Sequence, residues 1–341
     1  MSKLNLAMLP TALESAALLG AAIGAPRLLT KRDDLSGPVY GGNKVRKLEY
    51  LLGDARRRGC DAVVTFGAAG SNHALATAIY AQQASFDCYA ILTDQVPTAY
   101  VANTLRWHCL VGTRLIPAAG FAECPAAAAQ LRATHPTGPD RLYEIPWGGS
   151  SPLGSLGFVA AGVELGAQLS AAGLRAPARI YLPCGTMGSV AGLLLGLRLA
   201  KVPATVVSVK VVPQQVVNAD AVLALASAVA AEMQRHYTAI PTLPEAGAGL
   251  EFRAEFVGDG YAQPTPECLE AVALARDMGG FKLDTTYSGK ALACLIADAR
   301  SGRLAGEIPI FWQTWNSRPY PSGLENVDTR SLPAPLHKFL P

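Results

Sequence analysis

Residues 178–200 read ARIYLPCGTMGSVAGLLLGLRLA. Five residues from Arg179 to Pro183 suit a buried strand. Gly185-Thr186-Met187-Gly188-Ser189 make a tight turn, and an apolar run then continues at helical length. The same order recurs upstream. Asp61 to Phe66 (DAVVTF) is a β-rich run, and GAAGSNHALATAIYAQQ opens with a glycine turn that Ser71 or Asn72 can cap. Cys88–Leu92 and Leu115–Ile116 read as further strands, with helices over VANTLRWHCLVG and PAAAAQLRA. Strand, glycine turn and helix in alternation predict α/β architecture with open, parallel, twisted sheets.

The chain has 341 residues, half of them hydrophobic and 16% charged, enough for two cores. The expected division is a smaller α/β domain over 48–157 and a larger one built from 1–47 and 158–341, sharing a cleft. The glycine- and serine-rich stretch Ile145–Gly157 reads as a hinge, followed by a helix over Phe158–Ser170. Helices are also expected over 216–235, 269–278 and 289–300, and strands over 27–32, 206–212 and 308–312. A net charge of +3 without a basic tract argues against nucleic acid. Val190–Leu197 is far too short to cross a membrane, which needs about 20 residues. Seven scattered cysteines form no CxxC pair, so neither a disulfide framework nor a metal site is indicated, and a reducing cytoplasm is expected.

Two glycine turns at strand-to-helix junctions can bind anions, because a helix's first amides lack intrahelical partners and its dipole favours negative charge. Gly185 to Ser189 suits a phosphate, with hydroxyls at Thr186 and Ser189, and Gly67–His73 suits a carboxylate. A third helix mouth lies in RDDLSGPVYGGNKVRKLEYLL (32–52), where Asn43 can cap a helix with Leu48, Leu51, Leu52 and Ala55 on one face. Lys44 then falls in its first turn, where the dipole and neighbouring cations favour a free amine. On spacing alone, Lys44, Arg46 and Lys47 read more simply as a solvated basic face.

KRDDLSGPVYGGNKVRKLEYLL, GSNHALATA, IPWGGSSPLGSLGF, EFVGDGYAQPTPE and Tyr287-Ser288-Gly289-Lys290 occur in an order that resembles the D-cysteine desulfhydrase and 1-aminocyclopropane-1-carboxylate deaminase family. These are fold-type II enzymes related to the tryptophan synthase β subunit, and the resemblance runs roughly from Leu9 to Leu295. It implies pyridoxal 5′-phosphate (PLP) as cofactor, a small amino acid as substrate and a homodimer. Lys44 would be the Schiff-base lysine, with Asn43 near the cofactor's 3′ oxygen. Gly185, Thr186, Met187, Gly188 and Ser189 would hold the phosphate, with Lys47 as a further candidate. Ser71, Asn72 and His73 match the loop that holds the substrate carboxylate, and Ser71 also a serine near the α-carbon. Tyr261 and Tyr287 match active-site tyrosines, Tyr287 beside the ring, and Ser288 falls where the ring nitrogen's partner is expected.

A hydroxyl at Ser288, in place of the deaminase branch's glutamate, favours α,β-elimination of the D-cysteine desulfhydrase type, giving pyruvate, ammonia and sulfide. Ring-opening deamination, β-replacement, racemisation and PLP binding without turnover remain the alternatives. Three departures from the family bear on the substrate. Gly70 stands in place of a glutamine and Met187 in place of a glycine. Thr314-Trp315-Asn316-Ser317 stands where a threonine and glycines are usual, so Trp315 is expected to add bulk at the substrate.

Overall fold

The computed structural model describes residues 2–236 and 249–340. In chain order its elements are β1 (Leu13–Ser15), α1 (Ala17–Ile23), β2 (Leu29–Lys31), α2 (Lys44–Arg57), β3 (Ala62–Ala68), α3 (Asn72–Gln83) and β4 (Asp87–Thr93). There follow α4 (Ala99–Leu110), β5 (Arg114–Ala118), α5 (Cys124–Ala133), β6 (Leu142–Glu144), α6 (Pro152–Ala171), β7 (Ala178–Cys184) and α7 (Gly188–Leu199). The last are β8 (Ala204–Lys210), α8 (Ala219–Gln234), β9 (Leu250–Arg253), α9 (Pro266–Leu274), α10 (Ser288–Arg300) and β10 (Ile308–Trp312).

The chain forms two compact units, one of residues 1–6, 48–149 and 318–341, the other of residues 7–47 and 150–317. The smaller carries a four-stranded parallel sheet in the order β5-β4-β3-β6. The larger carries six strands, β1-β2-β10-β7-β8-β9, parallel except for the β1–β2 pair. These bounds differ from the expected domains in three places. Residues 318–341 go with the smaller unit because Leu332, Leu336 and Phe339 bury against Ala69, Val101 and Leu105. Residues 1–6 join it through Leu6 N and Lys3, which bond the Glu49 carboxylate. Residues 150–157 go with the larger unit because they begin α6.

The expected linker over 145–157 does hold the passage between the two units, at 149/150, but from Pro152 onward the stretch is helix and the reading is corrected. Gly148 and Gly149 turn the chain at positive φ (61° and 63°), Ser151 accepts from Gly154 N at 3.1 Å as an N-cap, and Pro152 starts a helix of 20 residues. This helix is long and apolar enough to cross a membrane, unlike the stretch at Val190. Its Phe158, Ala161, Leu165 and Leu169 nevertheless lie in the core of the larger unit. Helix α7 packs on it backbone to backbone: a Cβ at Gly192 would meet Ser155 O at 2.2 Å, and one at Gly196 would meet Val159 O at 2.2 Å. That close approach sets the mouth of α6 beside the mouth of α7.

Candidate active site

In the larger unit, β7 delivers the turn 185–189 and α7 begins at Gly188. Ser150 Oγ lies 2.7 Å from Thr186 Oγ1 and accepts from Gly188 N at 3.2 Å and from Lys47 Nζ at 3.0 Å. A Cβ on Gly188 would meet Ser150 Oγ at 2.6 Å and Ser155 Oγ at 2.8 Å, so only glycine leaves this cradle open. Met187 takes the left-handed conformation (φ 68°) that its loop position demands, at a cost of about 1–2 kcal/mol for a side-chain-bearing residue. Ser189 accepts from Asn43 Nδ2 at 3.1 Å. The Asn43 side chain thus ties the start of α2 to the start of α7.

Lys44 is the first residue of α2. Gly42 sits just before it at φ 100°, where a Cβ would strike Thr314 O at 2.7 Å. Asn43 N donates to Thr314 O (3.1 Å) and Gly41 N to Asn316 Oδ1 (2.6 Å). The divergent segment around Trp315 thus braces the turn that presents Lys44, and Trp315 itself is half-buried. Burial lowers the Lys44 ammonium to about 8, with Cys184 opposing. Lys47 is buried and falls well below the ordinary lysine value, first through burial and then through the charge on Lys44.

Arg46 is not the solvated cation that spacing suggested. It is 1% exposed and makes five hydrogen bonds, two to Asp33, two to Glu164 and one to Thr11. Lys31 joins the cluster through Glu164 at 2.5 Å. The network fastens the first turn of α2 to β2 and α6.

Tyr287 ends the approach to α10, and its ring passes Gly185, whose added Cβ would lie 3.4 Å from it. The Tyr261 and Tyr287 hydroxyls are 2.7 Å apart, with the rings edge to face. Burial raises Tyr261 to about 12. Lys290 Nζ donates to Val257 O at 2.5 Å and holds the loop that carries Tyr261. Ser288 is fully buried, with its hydroxyl on Asp284.

In the smaller unit, Ser71 caps α3 by accepting from Ala74 N at 3.2 Å, as its sequence position predicts. Asn72 Oδ1 accepts from the Tyr100 hydroxyl at 2.7 Å, which fixes the flip of its carboxamide. Gly70 leaves room for Gln95, whose Oε1 accepts from Gly70 N at 3.0 Å. His73 departs from expectation. Its ring is buried, Thr65 gives its hydroxyl proton to Ile145 O, and His73 Nε2 lies 2.9 Å from Thr65 Oγ1 and 3.1 Å from Pro146 O. Two acceptors facing Nε2 assign the proton there. The ring ties α3 to β3 and the 145–146 turn, leaving its backbone amide to the loop.

Ser150, Ser155, Asp284, Tyr100 and Gln95 escaped the sequence reading. For Ser150 and Ser155 the available signal was the Ser-Ser-Pro start of a helix; the others carried none.

The residues present fit PLP. Ser155 Oγ is buried without a hydrogen-bond partner among the described residues, beside two helix mouths and a buried lysine. Such a donor set calls for a phosphate. A lysine with a pKa near 8 supplies the amine that an aldehyde needs. Fold and site together define an α/β protein built for a phosphorylated, Schiff-base-forming cofactor. The model of the pyridoxal-phosphate dependent enzyme family matches residues 4–311, and the chain belongs to that family. It is an enzyme of PLP fold type II and its cofactor is PLP.

It is 35% identical to nocardicin C-9′ epimerase of Nocardia uniformis subsp. tsuyamanensis, over 86% of this chain and 87% of that one. It is 32% identical to D-cysteine desulfhydrase of Klebsiella pneumoniae (strain 342), over 91% and 92%. A crystal structure of an ACC deaminase homologue superposes with a TM-score of 0.80 at 28% identity, covering 96% and 97% of the two chains.

Proposed function

We propose that the protein is a lyase that carries out α,β-elimination on a small amino acid with a β-leaving group, of the D-cysteine type, giving pyruvate, ammonia and sulfide. The observation that carries this is the depressed pKa of Lys44 beside the serine-lined cradle. The similarity to a D-cysteine desulfhydrase over nine-tenths of both chains supports the choice of substrate class. Bound PLP supplies an aldehyde and an electron-withdrawing ring.

The chain's own residues do the rest. Thr186, Ser189, Ser150, Lys47 and the backbone of Gly185, Met187 and Gly188 hold the phosphate. Asn43 and Tyr287 flank the ring, and Ser288 faces its nitrogen. Ser71, Asn72 and the His73 amide hold the substrate carboxylate, and the bulk of Trp315 limits what the substrate side chain can be. Lys44, whose pKa near 8 leaves a fraction of free amine at physiological pH, takes the α-proton. Tyr261 keeps its proton at that pH and, paired with Tyr287, can deliver it to the departing group. We further propose a homodimer working in a reducing cytoplasm, a compartment in keeping with seven free cysteines. Light scattering of the purified holoenzyme tests the dimer.

A second reading, epimerisation at the α-carbon, is favoured by the 35% identity to an epimerase. One assay separates the readings: D- and L-amino acids with β-leaving groups, and 1-aminocyclopropane-1-carboxylate, in deuterium oxide. Pyruvate with sulfide supports elimination, and 2-oxobutyrate supports deamination. Deuterium entry with inversion and no keto acid overturns elimination in favour of epimerisation.

A further inference from the structure

Ser288 and Asp284 form a closed pair at the mouth of α10. Ser288 Oγ accepts from Asp284 N at 3.0 Å and donates to Asp284 Oδ1 at 2.5 Å. The same carboxylate accepts from Ser288 N on Oδ1 (2.9 Å), and from Thr286 N (3.1 Å) and Tyr287 N (2.8 Å) on Oδ2. All four bonds run from donor to carboxylate, the arrangement that favours its ionised form. Burial pushes the Asp284 carboxyl above its ordinary value, against these bonds and the Lys290 ammonium. Each carboxylate oxygen nevertheless already accepts two hydrogen bonds, so no lone pair is left to carry a proton.

A serine hydroxyl has one proton and two lone pairs. Asp284 takes the proton with its carboxylate and one lone pair with its amide. A single lone pair remains, so towards any further group Ser288 can only accept.

We infer that Asp284 locks Ser288 as an acceptor, so that the cofactor's ring nitrogen is held there in its protonated, hydrogen-donating form. The inference rests on the proposal that Ser288 faces that nitrogen. It adds to the reading of Ser288 as a hydroxyl in place of the deaminase branch's glutamate: a carboxylate stands one hydrogen bond behind it. A protonated ring withdraws electrons more strongly, which serves α-proton removal whether a β-group then leaves or the proton returns. Asp284 is thus a positioning residue, acting on the cofactor through Ser288.

The test is nitrogen NMR of holoenzyme reconstituted with ring-¹⁵N PLP. The wild-type signal is expected at the position of a protonated pyridine standard, with a directly bonded proton. Asp284→Asn should move it across most of the span to the unprotonated standard although Ser288 is still present. Ser288→Ala should move it too, and Ser288→Thr should restore it. An unprotonated wild-type nitrogen overturns the inference without any variant. So does an Asp284→Asn signal identical to wild type while Ser288→Ala shifts. If Ser288→Ala changes nothing, Ser288 does not face the nitrogen, and the site proposal fails first and takes the relay with it. Circular dichroism melts and cofactor stoichiometry check that the Asp284 variant keeps α10 intact.

Discussion

Replacing Arg46 with methionine keeps much of the side-chain volume and removes the guanidinium. Five hydrogen bonds disappear, at 2.8 to 3.0 Å. Glu164 retains Lys31. Asp33 keeps the Thr11 hydroxyl at 2.8 Å and the Lys31 charge nearby, but it is fully buried and loses its own guanidinium partner. Breaking a buried pair from one side costs about 3–5 kcal/mol, a large share of the roughly 5–15 kcal/mol that holds a folded chain together. Denaturant unfolding followed by circular dichroism reads this directly.

The sign with pH is also fixed. In the wild type the Arg46 guanidinium and Lys31 outweigh burial and hold Asp33 below its ordinary value. Its contribution is therefore present above the unfolded carboxyl pKa and lost as pH falls through the folded one. Without Arg46, burial pushes Asp33 upward, and the penalty grows as pH rises above the unfolded value. The gap between wild type and variant must narrow on acidification, and Asp33→Asn added to Arg46→Met should recover part of the loss. A penalty under about 1 kcal/mol, the scale of an exposed pair, with no dependence on pH would refute the reasoning.

Gly42→Ala forces a side chain onto a left-handed residue and against Thr314 O, so PLP affinity should fall along with a loss of about 2–4 kcal/mol in stability; unchanged cofactor titration would count against the brace on Lys44. Tyr100→Phe releases the Asn72 carboxamide, and KM should rise roughly two- to tenfold with kcat little changed, the worth of one hydrogen bond. The rate at which apoenzyme takes up PLP should climb with pH and level off above about 8, where the Lys44 amine is free; a rise continuing to the ordinary lysine value of 10.5 would contradict the burial argument.

The fold was largely legible because each parallel unit repeats a strand, a glycine turn and a capped helix. Strand β10 falls on the predicted residues, and Ser71 caps α3 as its type and place require. Strands β1, β6 and β9, of three, three and four residues, were not legible, since pairing with a neighbour and not propensity makes them. The start of α6 was hidden by its own glycines and serines, which mark a turn and a cap as readily as a linker, and Ser150 and Ser155 were lost with it. Arg46 was misread because its partners Asp33 and Glu164 lie 13 and 118 residues away. Local spacing also carries no sign of whether a serine hydroxyl is free or, like Ser288, already engaged.

Borohydride reduction of the PLP-loaded protein, followed by peptide mass spectrometry, tests most directly whether Lys44 carries the cofactor. A pyridoxyl group on the peptide containing Lys44, absent in Lys44→Ala, is the predicted result. A group fixed on Lys47, on Lys290 or on no lysine would contradict it.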